Sequence, residues 1–425
     1  MNPPATQPGL RPRARWMVLI AAFAGLLFDG IELGLMPVAS LSVSRSLLGP
    51  EFTKALAGDW FARYTAALML GAAVGGILLG QLGDRAGRTR AMGISILFYS
   101  VFAGLGAHVR TQEEMLALRF LVGLGVGGLW PNAVVLVSEC WPQTSRPVVA
   151  GIMGAGINAG ILLLSQIAQH WPVTPDSWRW LFHLAGAPAL LGIVVLVALP
   201  ESPQWLATRH RRAHAAPGPA PAPGPGPLRE LFRPPLLRTT LAGILLASVP
   251  LVGAWAASKW MIPWADTVAG ATHPGYKAVV QGWWALGATL GSFAGAQVAA
   301  RLGRRLSYAL ISIGTTALTA AMFQLTAPLQ PSFLPVVLAQ GFVATLFFGW
   351  LPLHLPELFP TRVRATGNGL AMNTGRFATA VGVFASGALF SALDGSYPTV
   401  GLLGAFIYLL GTLAIRAIPP DPPTR

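Results

Sequence analysis

Apolar residues run along this chain in long stretches, each closed by a short polar loop, from residue 17 to residue 418. A bilayer is crossed by roughly 20 consecutive apolar residues in a helix, so the pattern predicts an all-α integral membrane protein. The predicted spans are 17–38, 59–80, 91–109, 113–138, 148–170 and 178–199, then 239–262, 278–299, 307–326, 332–355, 367–392 and 397–418. Between the two sets of six lies a polar stretch, 201–237. Its middle, Pro217 to Pro227, alternates proline with glycine and alanine, a composition that favours a solvated polyproline-like spacer. The expected organisation is an N-terminal six-helix bundle (1–200), a linker (201–237) and a C-terminal six-helix bundle (238–425).

The two sets repeat. Glu139-x-x-Pro142-x-x-x-Arg146 follows the fourth span, and Glu357-x-x-Pro360-x-x-x-Arg364 follows the tenth, 218 residues on. Asp84-Arg85-x-Gly87-Arg88 follows the second span, and Ala300-Arg301-x-Gly303-Arg304 follows the eighth, 216 residues on. Two motifs at nearly one offset argue for a duplicated six-helix unit, and parallel repeats of this kind build transporters with a site between the halves.

Composition agrees with the pattern. Hydrophobic residues make up 53% and charged residues 10%, where a soluble domain carries about 25% charge. The net charge of +14 would suggest nucleic acid as a partner for a soluble chain. Here it reflects basic loops that face a cytoplasm and anionic lipid, and no nucleic-acid partner is expected. Twenty of the 29 lysines and arginines fall at one side of the predicted spans and eight at the other. The positive-inside rule then sets both termini in the cytoplasm. The basic start (Arg11, Arg13, Arg15) leads into a full-length apolar helix with no A-x-A-like site, so that helix is expected to stay in the membrane. One cysteine, Cys140, excludes a disulfide framework or a cysteine metal cluster within the chain. Three lysines against 26 arginines point to a GC-rich bacterial genome, hence a bacterial inner membrane.

Gly80-Gln-Leu-Gly-Asp84-Arg85-Ala-Gly87-Arg88-Thr-Arg90 resembles the signature loop of the major facilitator superfamily, and the resemblance covers essentially the whole chain. Leu199-Pro-Glu201-Ser202-Pro203-Gln204-Trp205-Leu206 is similar to the sequence that ends span six in sugar porters and organic-ion transporters, with Gln204 in place of the usual arginine. Asp29-Gly30-Ile31-Glu32 in span one resembles the D-G-x-D element of the aromatic acid:proton symporters. Arg119-x-x-x-Gly123-x-Gly125-x-Gly127 in span four and Asn373-Thr374-Gly375-Arg376 in span eleven resemble the same group. The resemblance implies alternating access between two bundles, proton-coupled symport, and a small organic anion, aromatic or another carboxylate, as substrate.

Charges inside spans are costly and by default serve function. Asp29 and Glu32 are three apart and share a helix face. Glu32 lies about 23 Å from the inner end of span one, and Arg119 about 30 Å from Glu139, so both sit in the outer part of the membrane. A Glu32–Arg119 pair is sensible at that depth. A carboxylate beside an arginine stays ionised; separated and desolvated, it takes a proton. Asp29, Glu32 and Arg119 are therefore the proton-coupling candidates, the alternative being a static pair that orders spans one and four. Arg376, about 13 Å deep in span eleven, has no acid of the second half at its depth. A guanidinium there suits a carboxylate substrate, or else pairs with the span-one acids. Asn158, Asn373 and Trp255 are the further substrate-binding candidates. The four charges sum to zero, and one proton would leave room for a monoanion.

At the cytoplasmic helix ends, Asp84, Arg85, Arg88, Glu139, Arg146, Glu357 and Arg364 are latch candidates, with Glu139–Arg146 and Glu357–Arg364 as expected pairs. Ala300 replaces the aspartate of the first copy, which weakens a symmetrical latch. Lys259 is expected to snorkel outward or to attract an anion at the outer mouth. Trp171, Trp178, Trp180, Trp260 and Trp264 fit an outer interfacial belt. A sugar porter would need cavity amides in span seven, and 239–262 contains no Gln or Asn. Excess deep acid, the mark of a cation efflux pump, is not seen. A non-transporting nutrient sensor would need a long signalling tail. No catalytic set, cofactor motif or metal spacing is present; the proton is the expected coupling ion, and a monomer is expected.

Overall fold

The computed structural model describes residues 10–141, 146–214, 227–360 and 363–417. Among these residues every regular element is a helix. Spans one to five are Pro12–Leu48, Lys54–Ala86, Arg88–Leu105, Gln112–Cys140 and Arg146–His170; span six is Arg179–Gly186 continued by Ala189–Ala198. Span seven is Leu236–Ala256, continued through a 3-10 turn, Ser258–Trp260, into Met261–Ala269. Spans eight to twelve are Tyr276–Leu302, Arg304–Gln324, Phe333–His354, Arg364–Ala392 and Tyr397–Ala414. Eleven of the twelve are long and apolar enough to cross a membrane. The exception, span eight, has the length, but Gln281, Ser292, Gln297 and its glycines dilute its apolar character.

Several helices outrun their predicted spans. Span one has 37 residues, about 55 Å at 1.5 Å per residue, well beyond a hydrocarbon core of about 30 Å. Span six breaks at Pro188, which has no N–H to give and crowds the carbonyl four residues back. Ala187 closes the first piece with a tighter bond to the Leu184 carbonyl, 3.2 Å. The linker is partly helical at its flanks, with Pro203–His214 after span six and Pro227–Leu231 before span seven. Its Pro-Gly-Ala middle, residues 217–226, lies outside the described residues.

Backbone contact through glycine repeats in the two halves. A Cβ on Gly71 would lie 2.1 Å from the Phe120 carbonyl oxygen, and one on Gly287 2.1 Å from that of Leu338. Gly75 meets Leu124 at 2.0 Å, and Gly291 meets Phe342 at 2.3 Å. Gly123 meets Leu68, and Gly341 meets Trp284, both at 2.3 Å. Spans two and four thus close on each other as spans eight and ten do, through residues related by the same offsets, 216 and 218, as the loop motifs. Small residues let membrane helices approach this closely.

The halves meet through spans five and eight and through spans two and eleven. Contact is concentrated away from the arginine-rich end. There the apolar core is continuous between halves: Phe61 packs edge-on against Trp260 at 5.2 Å, and Trp260 stacks on Phe390. A second apolar core, with Leu246, Trp350, Leu355 and Phe359, belongs to the C-terminal half alone and lies toward the arginine-rich end. At that end Cβ atoms on Gly80 and Gly369 would meet nothing within 4 Å. Among the described residues the halves therefore share one core at the end away from the arginines, while toward the arginine-rich end the C-terminal half packs on a core of its own. Trp178, Trp260 and Trp264 do not form the expected belt; they are buried in this shared core, and of the five belt candidates Trp171 alone is strongly exposed.

Candidate functional site

Span one is pressed onto span five: a Cβ on Gly30 would sit 1.9 Å from the Ile157 carbonyl oxygen, and one on Gly160 1.8 Å from that of Leu27. That contact buries the acidic stretch. Glu32 and Arg119, each 1% exposed, form an ion pair, so the structure joins the two residues that depth arithmetic placed together. The pair is incomplete. Glu32 Oε2 and Arg119 Nε and Nη2 are buried with no hydrogen-bond partner among the described residues. Asp29, one turn nearer the arginine-rich end, is buried too, and its Oδ1 has no partner.

Arg376 crosses the interface. From span eleven its Nη1 donates to the carbonyls of Ala72 in span two, 3.2 Å, and Gly127 in span four, 3.4 Å. Gly76 leaves it room: a Cβ there would be 2.6 Å from Nη1 and 2.9 Å from Asn373 Oδ1. Asn373 donates to the Gly369 carbonyl at 3.0 Å, which leaves its Oδ1 toward the same space. Asp29 is close enough for its charge to act on Arg376, but the two form no ion pair among the described residues. Asn158 joins the halves instead of standing free: its Nδ2 donates to Ser292 Oγ in span eight, 3.0 Å, and to the Gly154 carbonyl, 3.3 Å.

Span seven holds what the sequence reading misplaced. The helix breaks at Ala257, and Lys259 turns inward rather than snorkelling; it is 2% exposed. Its Nζ lies 3.3 Å from the centroid of the Trp284 ring and 5.9 Å from that of the half-buried Trp255, and it has no hydrogen-bond partner among the described residues. Behind Trp284 runs a satisfied network: Trp284 Nε1 donates to Gln340 Oε1 at 2.8 Å, and Gln340 Nε2 donates to Ser258 and Thr319. Buried amides of this half thus come from spans eight and ten, where span seven supplies none. Gln281 is the second; its Nε2 donates to Ser165 Oγ at 3.2 Å, and its Oε1 is unpartnered.

The arginine-rich end of the N-terminal half carries a network that includes the start of the linker. Asp84 pairs with Arg88, one turn on, and Arg88 Nε lies 3.9 Å from Glu139. Arg85 is exposed. Glu139 accepts from Ser202, and Trp205 Nε1 donates to the Asp84 carbonyl at 3.0 Å. Glu201, not among the candidates, accepts from the backbone N–H groups of Arg88, 2.9 Å, and Thr89, 3.1 Å. A carboxylate there satisfies free donors at the start of span three and meets the positive end of its dipole. Gly87, at φ 118°, admits it; a Cβ would be 2.1 Å from Glu201 Oε2. The Arg146 side chain lies outside the described residues. The expected Glu357–Arg364 pair does not form. Glu357, half exposed, pairs with His354 at 3.3 Å, while Arg364 folds back to donate to the Phe359 carbonyl at 3.2 Å.

At the other end, Lys277 of span eight pairs with Asp266 of span seven at 2.8 Å and donates to Ser42 of span one at 3.1 Å. This ties the two halves together beside a cavity of about 200 Å³ that Arg45 and Lys54 also line.

Twelve helices in two glycine-packed repeats, with polar groups buried where the repeats meet, define a multi-pass membrane transporter. The chain matches the sugar (and other) transporter family over residues 17–218 and 227–417 and belongs to it, within the major facilitator superfamily. It is 29% identical over 409 residues to the cis,cis-muconate transport protein of Acinetobacter baylyi, covering 94% of this chain and 93% of that one. It is 29% identical over 204 residues to the 4-hydroxybenzoate transporter PcaK of Pseudomonas aeruginosa, covering 46% and 42%. In fold it is similar to the inward-open xylose transporter XylE of E. coli, with a TM-score of 0.71 at 18% identity over 96% of this chain and 97% of that one.

Proposed function

We propose that this protein carries a small organic anion, an aromatic or other carboxylate, into the cell together with a proton, by alternating access in a bacterial inner membrane. The observation that carries the reading is the reach of Arg376 across the interface to the Ala72 and Gly127 carbonyls, in a site whose buried Asp29 is, like Arg376, in no ion pair among the described residues. While Asp29 is charged it competes with substrate for the guanidinium. A proton on Asp29 ends that competition and removes a buried charge, and Arg376 is then free to take a carboxylate with its two-pronged fork. Glu32, one turn away, exchanges the proton with Asp29, so that both acids are needed for coupling. Proton and anion bind together because each removes the other's cost.

In this reading the structure is the inward-facing member of the cycle, parted at the arginine-rich, cytoplasmic end. The outward-facing member requires the Lys277–Ser42 tie to break, Asn158 to leave Ser292, and the loop around Asp84, Arg88 and Glu139 to close against the second half. The names of the muconate and 4-hydroxybenzoate relatives support a carboxylate, and the span-seven segment, without Gln or Asn, speaks against a sugar. The test is uptake of labelled benzoate and 4-hydroxybenzoate into proteoliposomes under an inward proton gradient, with protein-free vesicles as the control for passive weak-acid entry. Saturable uptake above that control, abolished by a protonophore, is expected. Equal uptake with and without the gradient would remove proton coupling; saturable sugar uptake with no acid uptake would remove the anion.

A further inference from the structure

Lys259 is a buried cation with no ion-pair partner among the described residues. The described acids of its own half are engaged or peripheral: Asp266 holds Lys277, Glu357 faces His354, and Asp394 is exposed in a turn. Its ammonium rests on the face of Trp284, with Trp255 as a second, half-buried wall, and makes no hydrogen bond to a described residue. Ring faces attract a cation but leave its three N–H donors empty. A charge in a bilayer interior is expensive and marks a pathway or a ligand.

The break in span seven explains how it gets there. The helix stops at Ala256, and the 3-10 turn Ser258–Trp260 reorients the chain. Ser258 is pinned to Gln340 at 2.7 Å and to Tyr408 at 3.0 Å, and Trp260 is locked between Phe61 and Phe390. Both neighbours of Lys259 are held, so its inward direction is fixed by the fold. Trp284 is held as well, by its bond to Gln340. A held aromatic floor, a second aromatic wall and a cation without a hydrogen-bond partner among the described residues thus share one place in the fold. Lys259 also changes the charge arithmetic. Two buried acids now face three cations in the membrane interior, so a net positive charge is present before any proton binds.

We propose that Lys259, Trp255 and Trp284 form an anion subsite, separate from Arg376, that takes the carboxylate of an unsaturated planar substrate on its way through the C-terminal half. The carboxylate accepts from the ammonium, and the conjugated body lies against Trp255. This deepens the organic-anion reading above and rests on it.

The test compares wild type, Lys259→Met and Lys259→Arg in benzoate, 4-hydroxybenzoate and terephthalate uptake, and in thermal unfolding of the detergent-solubilised protein with and without each acid. A hydrogen bond to a charged group, lost with the lysine, corresponds to roughly a 10- to 100-fold rise in KM. Lys259→Met is expected to show that rise and to lose the unfolding shift that the transported acid gives wild type. Lys259→Arg keeps the cation and is expected to retain both. Without acid, Lys259→Met should unfold no earlier than wild type, because an unpaired buried charge has been removed. A Lys259→Met protein with unchanged KM and an unchanged acid-dependent shift would overturn the subsite and leave the anion reading intact. A wild type with neither saturable acid uptake nor any shift would overturn both.

Discussion

The two halves descend from one repeated plan but place their charges differently. In the N-terminal half, span one contributes two buried acids and span four one arginine, and Glu32 and Arg119 are joined. In the C-terminal half the interior holds two cations, the buried Lys259 and the partly buried Arg376, and neither is in an ion pair among the described residues. Scaffold and chemistry have been separated. The glycine contacts of spans two and four recur in spans eight and ten within a few tenths of an ångström, while the charges inside the spans, Asp29, Glu32, Arg119, Lys259 and Arg376, do not recur. In the function proposed above, one half holds and releases the proton, the other holds the anion, and the joint between them couples the two.

The comparison can be broken most sharply at Arg119. Arg119→Ala leaves Glu32 buried and unpaired, at a cost of about 3–5 kcal/mol, seen as early thermal unfolding; Glu32→Gln with Arg119→Ala should recover part of it. No loss in the single variant would mean that the pair is open to water. Next is the scaffold. Gly75→Ala and Gly291→Ala each force a methyl against a facing carbonyl, and each should cost about 1–3 kcal/mol. Equal losses would uphold matched packing; a harmless Gly291→Ala would show that the second interface yields. The latches should differ in the opposite way. Glu139, beneath Arg88 and Ser202, should lose about 1 kcal/mol as Gln. Glu357→Gln, half exposed, should stay within about 0.5 kcal/mol. A larger effect at Glu357 would relocate the latch to the C-terminal half.

The sequence made the repeat, the spans and the Glu32–Arg119 pair legible, because helical rise converts residue number into depth. It did not reveal what depends on how the chain returns. Glu201 was visible as part of a motif, but its place over the start of span three depends on where the segment after span six comes back. Lys259 beside Trp260 reads as an interfacial pair near a helix end, since a lysine and a tryptophan are common there. The break at Ala257 has no proline of its own, only Pro250 and Pro263 on either side, so nothing local announced the inward turn. Trp260 and Trp264 were misplaced for the same reason. Glu357 and Arg364 carry the same spacing as Glu139 and Arg146, but His354, absent from the first copy, lies closer to the carboxylate and captures it.

The division of labour is tested most directly by proton flux in dye-loaded proteoliposomes, wild type against Glu32→Gln, with protein-free vesicles for passive leak. Benzoate added outside should acidify the lumen of wild-type vesicles in a saturable way. Glu32→Gln should give no protein-dependent acidification while still exchanging labelled benzoate across the membrane. Acidification by Glu32→Gln at the wild-type rate would contradict the account and reduce the Glu32–Arg119 pair to a structural clamp between spans one and four.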